Sequence, residues 1–464
     1  MKPGLRPGRR ASHQKRSLKP CAIIEVGQNM QSVRSIAAQL FYQHSLASAV
    51  AGITSLALLA ALTNADQWFG WILVGLTLMV PLASHEIRSE YRLLSTFYMV
   101  LASQQLMVIA LTFMDFRPID LWDATYFDSL ASSFSYNDSS SLTWEVGYVF
   151  YVNILSLVYK LNDRLFVGAE FSVLLVTVSQ VVIAHIAITM GIPRHRVWWV
   201  CLSGLIPASI LFFSTPYREA LQLLLLALAI LGATKLIIER DRVWIVLLVP
   251  AIIFFGCLHK ALMVYAGVFI SLTMCWFVCI DYRRSTRMGA MVLVVTGSVF
   301  YAWNPVLSSA FEPLVALFNG DVVEQITFYR ERMVDWGNPR TSYGIIYDWS
   351  TPVATLMTLT NIYLHYLFAP WFGIERWVDV YAVAESWMRI ILLAGIAVNT
   401  PDILRERKGG VIVIFLLYLG LTALWAVGTT NYGQGIRHHV LTNWMLVMVA
   451  VASIPSLPKT ADRR

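Results

Sequence analysis

A chain of 464 residues that is 57% hydrophobic and only 14% charged, with a mean hydropathy of +0.61, is too apolar for a water-soluble domain and reads as an integral membrane protein. The formal charge of +7 does not argue for a nucleic-acid partner. Its cations gather in the first 44 residues and in short connections, where the positive-inside bias accounts for them. Cys21, Cys201, Cys257, Cys275 and Cys279 follow no disulfide spacing and lie mostly in apolar runs, where a thiol acts as a small hydrophobe, so nothing about redox chemistry is read from them.

In chain order, residues 1–44 form a basic tail (Lys2, Arg6, Arg9, Arg10, Lys15, Arg16, Lys19, Arg34) without the apolar core of a cleaved signal peptide. Apolar runs of spanning length then lie near 45–63, 67–84, 93–113, 167–190, 197–213, 219–237, 243–258, 261–280, 288–303, 385–401, 410–428 and 439–456. The expected fold is therefore all-α: one polytopic domain over 45–456 with about twelve transmembrane helices, and a short tail at 457–464. With both termini cytoplasmic, 24 of the 35 Lys and Arg residues fall on the inner side.

Two further apolar stretches, 145–161 and 350–370, are read as re-entrant or interfacial helices on the outer face. Counting the second as a span would carry Arg405, Arg407 and Lys408 to the outside. The large outer connections are then 114–166 and 304–384.

The informative residues are the cations left on the outer side. In "STPYREALQLLLLALAILGATK" (214–235), Arg218 opens a helix at the end where the peptide dipole disfavours a cation, so it either anchors the helix at the interface or awaits an anion. Glu219 is adjacent to it, and adjacent residues on a helix do not face each other. "FFGCLHKALMVY" (254–265) places His259 and Lys260 in an outer turn, and "TTNYGQGIRHHVLTNW" (429–444) adds Arg437, His438 and His439.

Adjacent histidines diverge on a helix, so no metal site is read here. Phosphate recognition needs only Arg forks, Lys and His donors and free backbone N–H groups. Acids concentrate in "FMDFRPIDLWDATYFDSLASSF" (113–134), which holds Asp115, Asp120, Asp123 and Asp128 among aromatics; Glu145 follows. Any of these carboxylates is either a solvated loop acid in an aromatic belt or a general base. In "FYRERMVDWGNPRTSYGIIYDW" (328–349), Arg330, Arg332 and Arg340 belong to surface ion pairs or to a lid over the site.

The order Asp123, Tyr126, Asp128, then "EVGYVF", "YREALQLLLLALAI" and "FFGCLHKALMVY", resembles the multi-spanning bacterial polysaccharide polymerases of the Wzy and exopolysaccharide type, related to lipid-dependent GT-C glycosyltransferases. The likeness covers roughly 110–270, with "NYGQGIRHHVLTNW" similar to the start of their last span. It implies a bacterial inner-membrane glycosyltransferase, active on the periplasmic side, that joins polyprenyl-pyrophosphate-linked oligosaccharides.

In that role Asp123, Asp128 or Glu145 would serve as the base, and Arg218, His259, Lys260, Arg437 and His438 as the phosphate-binding set. The sequence names no cofactor, and the polyprenyl-linked sugar is the substrate. Expected partners are the membrane, the lipid-linked oligosaccharide, a chain-length regulator and other polysaccharide-assembly proteins. Two rivals remain: a GT-C enzyme adding one sugar from a polyprenyl-phosphate donor, and a lipid-linked oligosaccharide flippase or other transporter.

Overall fold

The computed structural model of the chain describes residues 67–114, 116, 122–136, 145–280, 327–328, 330–332, 341–370, 374–405 and 409–454. The expected tails and the expected spans at 45–63 and 288–303 lie outside the described residues. What is described is helical, with one isolated pair of antiparallel bridge residues, Ser342 and Asn431, and no strand.

Among the described residues, the α-helices of seven or more residues are α1 (Trp68–Ala83), α2 (Tyr91–Phe113), α3 (Trp122–Tyr136), α4 (Tyr148–Tyr159), α5 (Leu165–Thr189), α6 (Arg194–Cys201), α7 (Pro207–Phe213), α8 (Arg218–Thr234), α9 (Ile245–Cys257), α10 (Lys260–Ile280), α11 (Pro352–Phe368), α12 (Trp377–Arg405), α13 (Gly409–Gly428), α14 (Tyr432–His439) and α15 (Asn443–Ser453). Five stretches, 91–113, 165–189, 218–239, 379–401 and 409–428, are long and apolar enough to cross a membrane, and the bent α6–α7 pair makes a sixth if it is one span. Shorter apolar helices at 68–83, 148–159, 242–257, 261–277 and 443–453 complete the apolar set among the described residues.

The architecture centres on α8. Its spanning window is 72% buried, against 28% for the window in α12, so α8 is walled by protein while α12 turns most of its length outward. It packs against α5 and α9, and α5 in turn meets α1 and α2. Gly232 permits the α8–α9 approach: a Cβ there would lie 3.2 Å from the Leu248 backbone, the close packing that small residues allow between apolar helices.

Three elements differ from the sequence reading. The run at 197–213 is not one rod. It breaks after the tight turn Leu202–Leu205 and restarts at Pro207 with a 64° bend, because Pro207 lacks an N–H and fits the first position of a new helix.

The run at 439–456 starts with the last residue of α14, turns at 440–442 and becomes helical again only from Asn443, as α15. Helix α12 begins at Trp377 rather than 385. Asp379 fixes that start by accepting the N–H groups of Glu375 (2.9 Å) and Arg376 (2.8 Å), and its other oxygen accepts the Tyr432 hydroxyl at 2.8 Å. The connection 114–166 contains α3 and α4 among its described residues, and 350–370 contains the 17-residue α11.

Candidate functional site

Three helix ends meet at one place: the first turn of α3, the first turn of α8 and the last turn of α14. Acids stand in the first turns at the two N-termini (Asp123, Glu219) and the cation Arg437 stands in the last turn at the C-terminus, the polarity that the helix dipoles favour. Arg437 is the hub. Its Nε donates to Glu219 Oε1 at 2.6 Å, its Nη1 donates to Asp123 Oδ2, and its guanidinium lies 4.3 Å from the centre of the Tyr217 ring.

Glu219 is buried and Asp123 is about 40% exposed, so one carboxylate is sealed in protein while the other remains open to a substrate. Arg437 Nη2 and Glu219 Oε2 are both buried without a hydrogen-bond partner, a costly state for polar atoms in a protein interior.

Arg218 sits beside this hub at the mouth of α8, its guanidinium 5.9 Å from the Phe127 ring centre. Glu219 therefore serves Arg437 rather than its neighbour Arg218, as expected of adjacent helical positions. The aromatic floor is continuous: Phe127 stacks on Tyr148 (6.1 Å, 14°) and meets Tyr151 and Tyr217 edge-on.

His438 completes the cluster through a different chemistry. Its ring stacks on Trp425 at 4.0 Å, and His259 meets the same indole edge-on at 4.9 Å. The Thr429 hydroxyl donates to Trp425 O at 2.7 Å, so at 2.9 Å from His438 Nδ1 it can only accept; the proton is on Nδ1, and Nε2 keeps its lone pair. Burial, and then the fields of Arg437, His259 and Arg218, hold His438 well below its ordinary pKa. It is thus a neutral imidazole at physiological pH and fits a proton acceptor or a neutral hydrogen-bonding group better than a phosphate cation. His259 Nδ1 accepts the Ala261 N–H at 3.1 Å, tying it to the start of α10.

The other predicted residues are distributed as follows. Asp128 accepts the Tyr159 hydroxyl, and burial raises its pKa. Glu145 is exposed. The Lys260 side chain and Arg340 lie outside the described residues, as do Asp115 and Asp120. Arg332 is exposed.

Arg330 is buried. It donates from Nη1 to the carbonyls of Ala426 (2.8 Å) and Val427 (2.9 Å) and from Nε to the Tyr347 hydroxyl (2.9 Å), so it closes the C-terminus of α13. Among the described residues, no group of three or more His, Cys, Asp or Glu side chains is placed to hold a metal ion.

Sequence reasoning missed a second polar centre inside the apolar bundle. Arg389 Nη1 lies 3.4 Å from Glu385 Oε2, with each side chain 1% exposed, and Arg389 Nε donates to Leu367 O at 2.8 Å. Glu385 Oε1 accepts the Ala208 N–H at 3.0 Å, bracing the broken end of α7. The i,i+4 spacing of Glu385 and Arg389 on an apolar helix was the available signal.

Comparison of the chain with protein-family models, with curated proteins and with solved structures finds no match, so the reading of this site stands on its own geometry.

Proposed function

We propose that the chain is a membrane glycosyltransferase that joins polyprenyl-pyrophosphate-linked oligosaccharide units into a polysaccharide at the outer face of a bacterial cytoplasmic membrane. The observation that carries this reading is Arg437, held between a buried and an open carboxylate with one N–H pair unspent. Asp123 takes the proton of the acceptor hydroxyl. The acceptor oxygen forms the new bond to the anomeric carbon, and the bond from that carbon to the phosphate oxygen breaks, with its electron pair leaving on the pyrophosphate.

Once protonated, Asp123 no longer neutralises Arg437, so the guanidinium gains attraction for anions as the leaving group gains charge. Arg218 adds a second fork on the same side, and the Phe127–Tyr148 aromatic floor suits sugar faces. The chain-length regulator and other assembly proteins remain proposed partners.

Purified protein in vesicles, supplied with a polyprenyl-pyrophosphate oligosaccharide, is expected to yield a ladder of extended products, and Asp123→Asn none. A single added sugar would replace the polymerase with a one-step transferase.

A second reading, transport of a lipid-linked glycan, is favoured by the 64° break at Pro207 beside the buried Glu385–Arg389 pair, because interrupted helices next to buried charge are a transporter feature. Glycan crossing the vesicle membrane with no new glycosidic bond would establish it instead.

A further inference from the structure

The end of the bundle opposite the Arg437 cluster collects cations from distant parts of the chain. Helices α5 and α8 start side by side, where a Cβ on Gly168 would lie 3.1 Å from the Cβ of Pro216, and they pack together from there, so their far ends also meet. Helix α6 follows α5 after a short turn. A Cβ on Gly204, just past α6, would lie 2.6 Å from Val100 in α2, about ten residues beyond the start of each helix, so α2 and α6 begin at one depth. Ser84 Oγ, 3.1 Å from His185 Nε2, ties the α1–α2 link to the last turns of α5.

Arg88, Arg92, Arg194, Arg240 and Arg242 are exposed at this end. The acids beside them are mostly engaged: Glu86 accepts the Ser84 hydroxyl at 3.3 Å, Glu239 pairs with Lys235, and Asp241 accepts the Val243 N–H at 3.1 Å, which leaves the half-buried Glu90. Exposed apolar side chains sit directly against the cations: Trp199, Ile238, Val243 and Val246. Arg240 adds a backbone observation. It ends the α8 rod in the left-handed conformation (φ +60°), where glycine is the usual residue, so the chain keeps a cation there against the local backbone preference.

We propose that this end is a docking surface for anionic phospholipids, with the five exposed arginines binding the phosphodiester headgroups of the leaflet opposite the Arg437 cluster. The assignment does not depend on the transferase reading. The rod from Arg218 to Glu239 has 22 residues and is about 33 Å long, close to the ~30 Å of a hydrocarbon core, so Arg240 and Arg242 stand where the span meets the headgroups. Charge placed directly over exposed Trp, Ile and Val matches a headgroup over its acyl chains. An acidic protein segment in water would use the charge and leave the apolar part uncovered.

The test is electron paramagnetic resonance of spin-labelled phosphatidylglycerol and phosphatidylcholine around the full-length protein in phosphatidylcholine vesicles, run beside thermal unfolding. The protein is expected to hold the anionic probe about threefold more strongly at low salt, and to lose that preference in about 1 M salt, where the screening length is ~3 Å. The combined variant Arg88→Gln, Arg92→Gln, Arg194→Gln should bring the preference close to one, and the matching lysine variant should keep most of it. Arg240→Gly should lower the preference while the unfolding temperature stays level or rises, because glycine accepts the left-handed backbone. A purely structural arginine would not separate those two readouts.

No preference in the parent, a preference that ignores salt, or one that survives the glutamine variant overturns the proposal. Equal loss in the lysine variant overturns it too, since charge would then not be the cause. Polyglutamate binding to the protein in phosphatidylcholine vesicles, without any lipid preference, would give the surface to an acidic protein segment instead.

Discussion

Arg437 Nε lies 2.6 Å from Glu219 Oε1, a contact that joins the end of α14 to the start of α8 across 218 residues of sequence. Both side chains are largely buried, so removing one partner strands the other's charge. Arg437→Gln is expected to destabilise by ~3–5 kcal/mol, the range for breaking a buried pair. Arg437→Gln combined with Glu219→Gln should cost clearly less than the two singles added together. Unfolding in detergent across the four proteins of the cycle measures this coupling, and strictly additive costs would show that the contact carries none.

Arg330 makes an equally specific prediction about stability. Its fork meets two carbonyls at the end of α13 and the Tyr347 hydroxyl, so Arg330→Gln should cost ~2–4 kcal/mol, the scale for charge-assisted bonds lost from a buried network. Arg330→Lys keeps the charge at the negative helix end but loses the planar fork, and should recover only part of that loss. Thermal unfolding of the two variants checks the order; equal stability of Lys and Gln would mean that the charge contributes nothing.

How much of this was legible in the sequence depends on the range of the cause. Apolar runs of about twenty residues predict α2, α5, α8 and α13 within a few positions, because a lipid-spanning backbone must satisfy its own hydrogen bonds locally. Of the residues that the sequence groups as a phosphate-binding set, Arg218, Arg437, His259 and His438 lie near one another. Partner choice was not legible. Nothing local to Glu219 says that its cation is Arg437, and Arg330 meets backbone carbonyls, which carry no sequence signature.

The break at Pro207 was visible as a residue, but the apolar length of 197–213 hid it. Pro at a first helical position and Pro inside a span look alike until the preceding turn is seen. The early start of α12 was hidden because Asp379 is held by Tyr432, far along the chain.

His438 sets a pH dependence whose sign follows from its environment. Burial and neighbouring cations lower its folded pKa below the ordinary 6.5, so the unfolded chain binds more protons in the window just beneath 6.5. Its stability contribution is complete above about pH 6.5 and is lost as pH falls towards the folded value, with a limiting slope of ~1.4 kcal/mol per pH unit. Unfolding temperatures from pH 8 to 5 should therefore decline more steeply for the parent than for His438→Gln; parallel curves would remove His438 as the titrating group.

The three carboxylates proposed as base separate by environment. Asp123 touches Arg437 and is open, Asp128 is occupied by Tyr159, and Glu145 is exposed. Asp123→Asn should lower chain extension ~10²–10⁴-fold, the usual contribution of a general base. Asp128→Asn and Glu145→Gln should leave most of the rate. A full loss on His438→Gln with a small effect of Asp123→Asn would transfer the role to the His438 Nε2 lone pair. Rates with intact lipid-linked donor, normalised to folded protein, decide between the two.

Gly435 tests whether α14 is pressed against the non-helical segment 342–347. A Cβ at this position would stand 2.6 Å from the Tyr343 hydroxyl oxygen, closer than unbonded atoms approach. Gly435→Ala gains helix propensity inside α14, which taken alone would stabilise by ~1 kcal/mol. The clash opposes that gain and should dominate, for a net loss of ~1–3 kcal/mol.

The oxygen is the atom in the way, so Tyr343→Phe added to Gly435→Ala should restore stability to the parent level or above it, while Tyr343→Phe alone changes little. Unfolding of the single and double variants reads this directly. If Gly435→Ala is neutral, or if Tyr343→Phe fails to rescue it, the segment that carries Tyr343 is not packed on α14 as described.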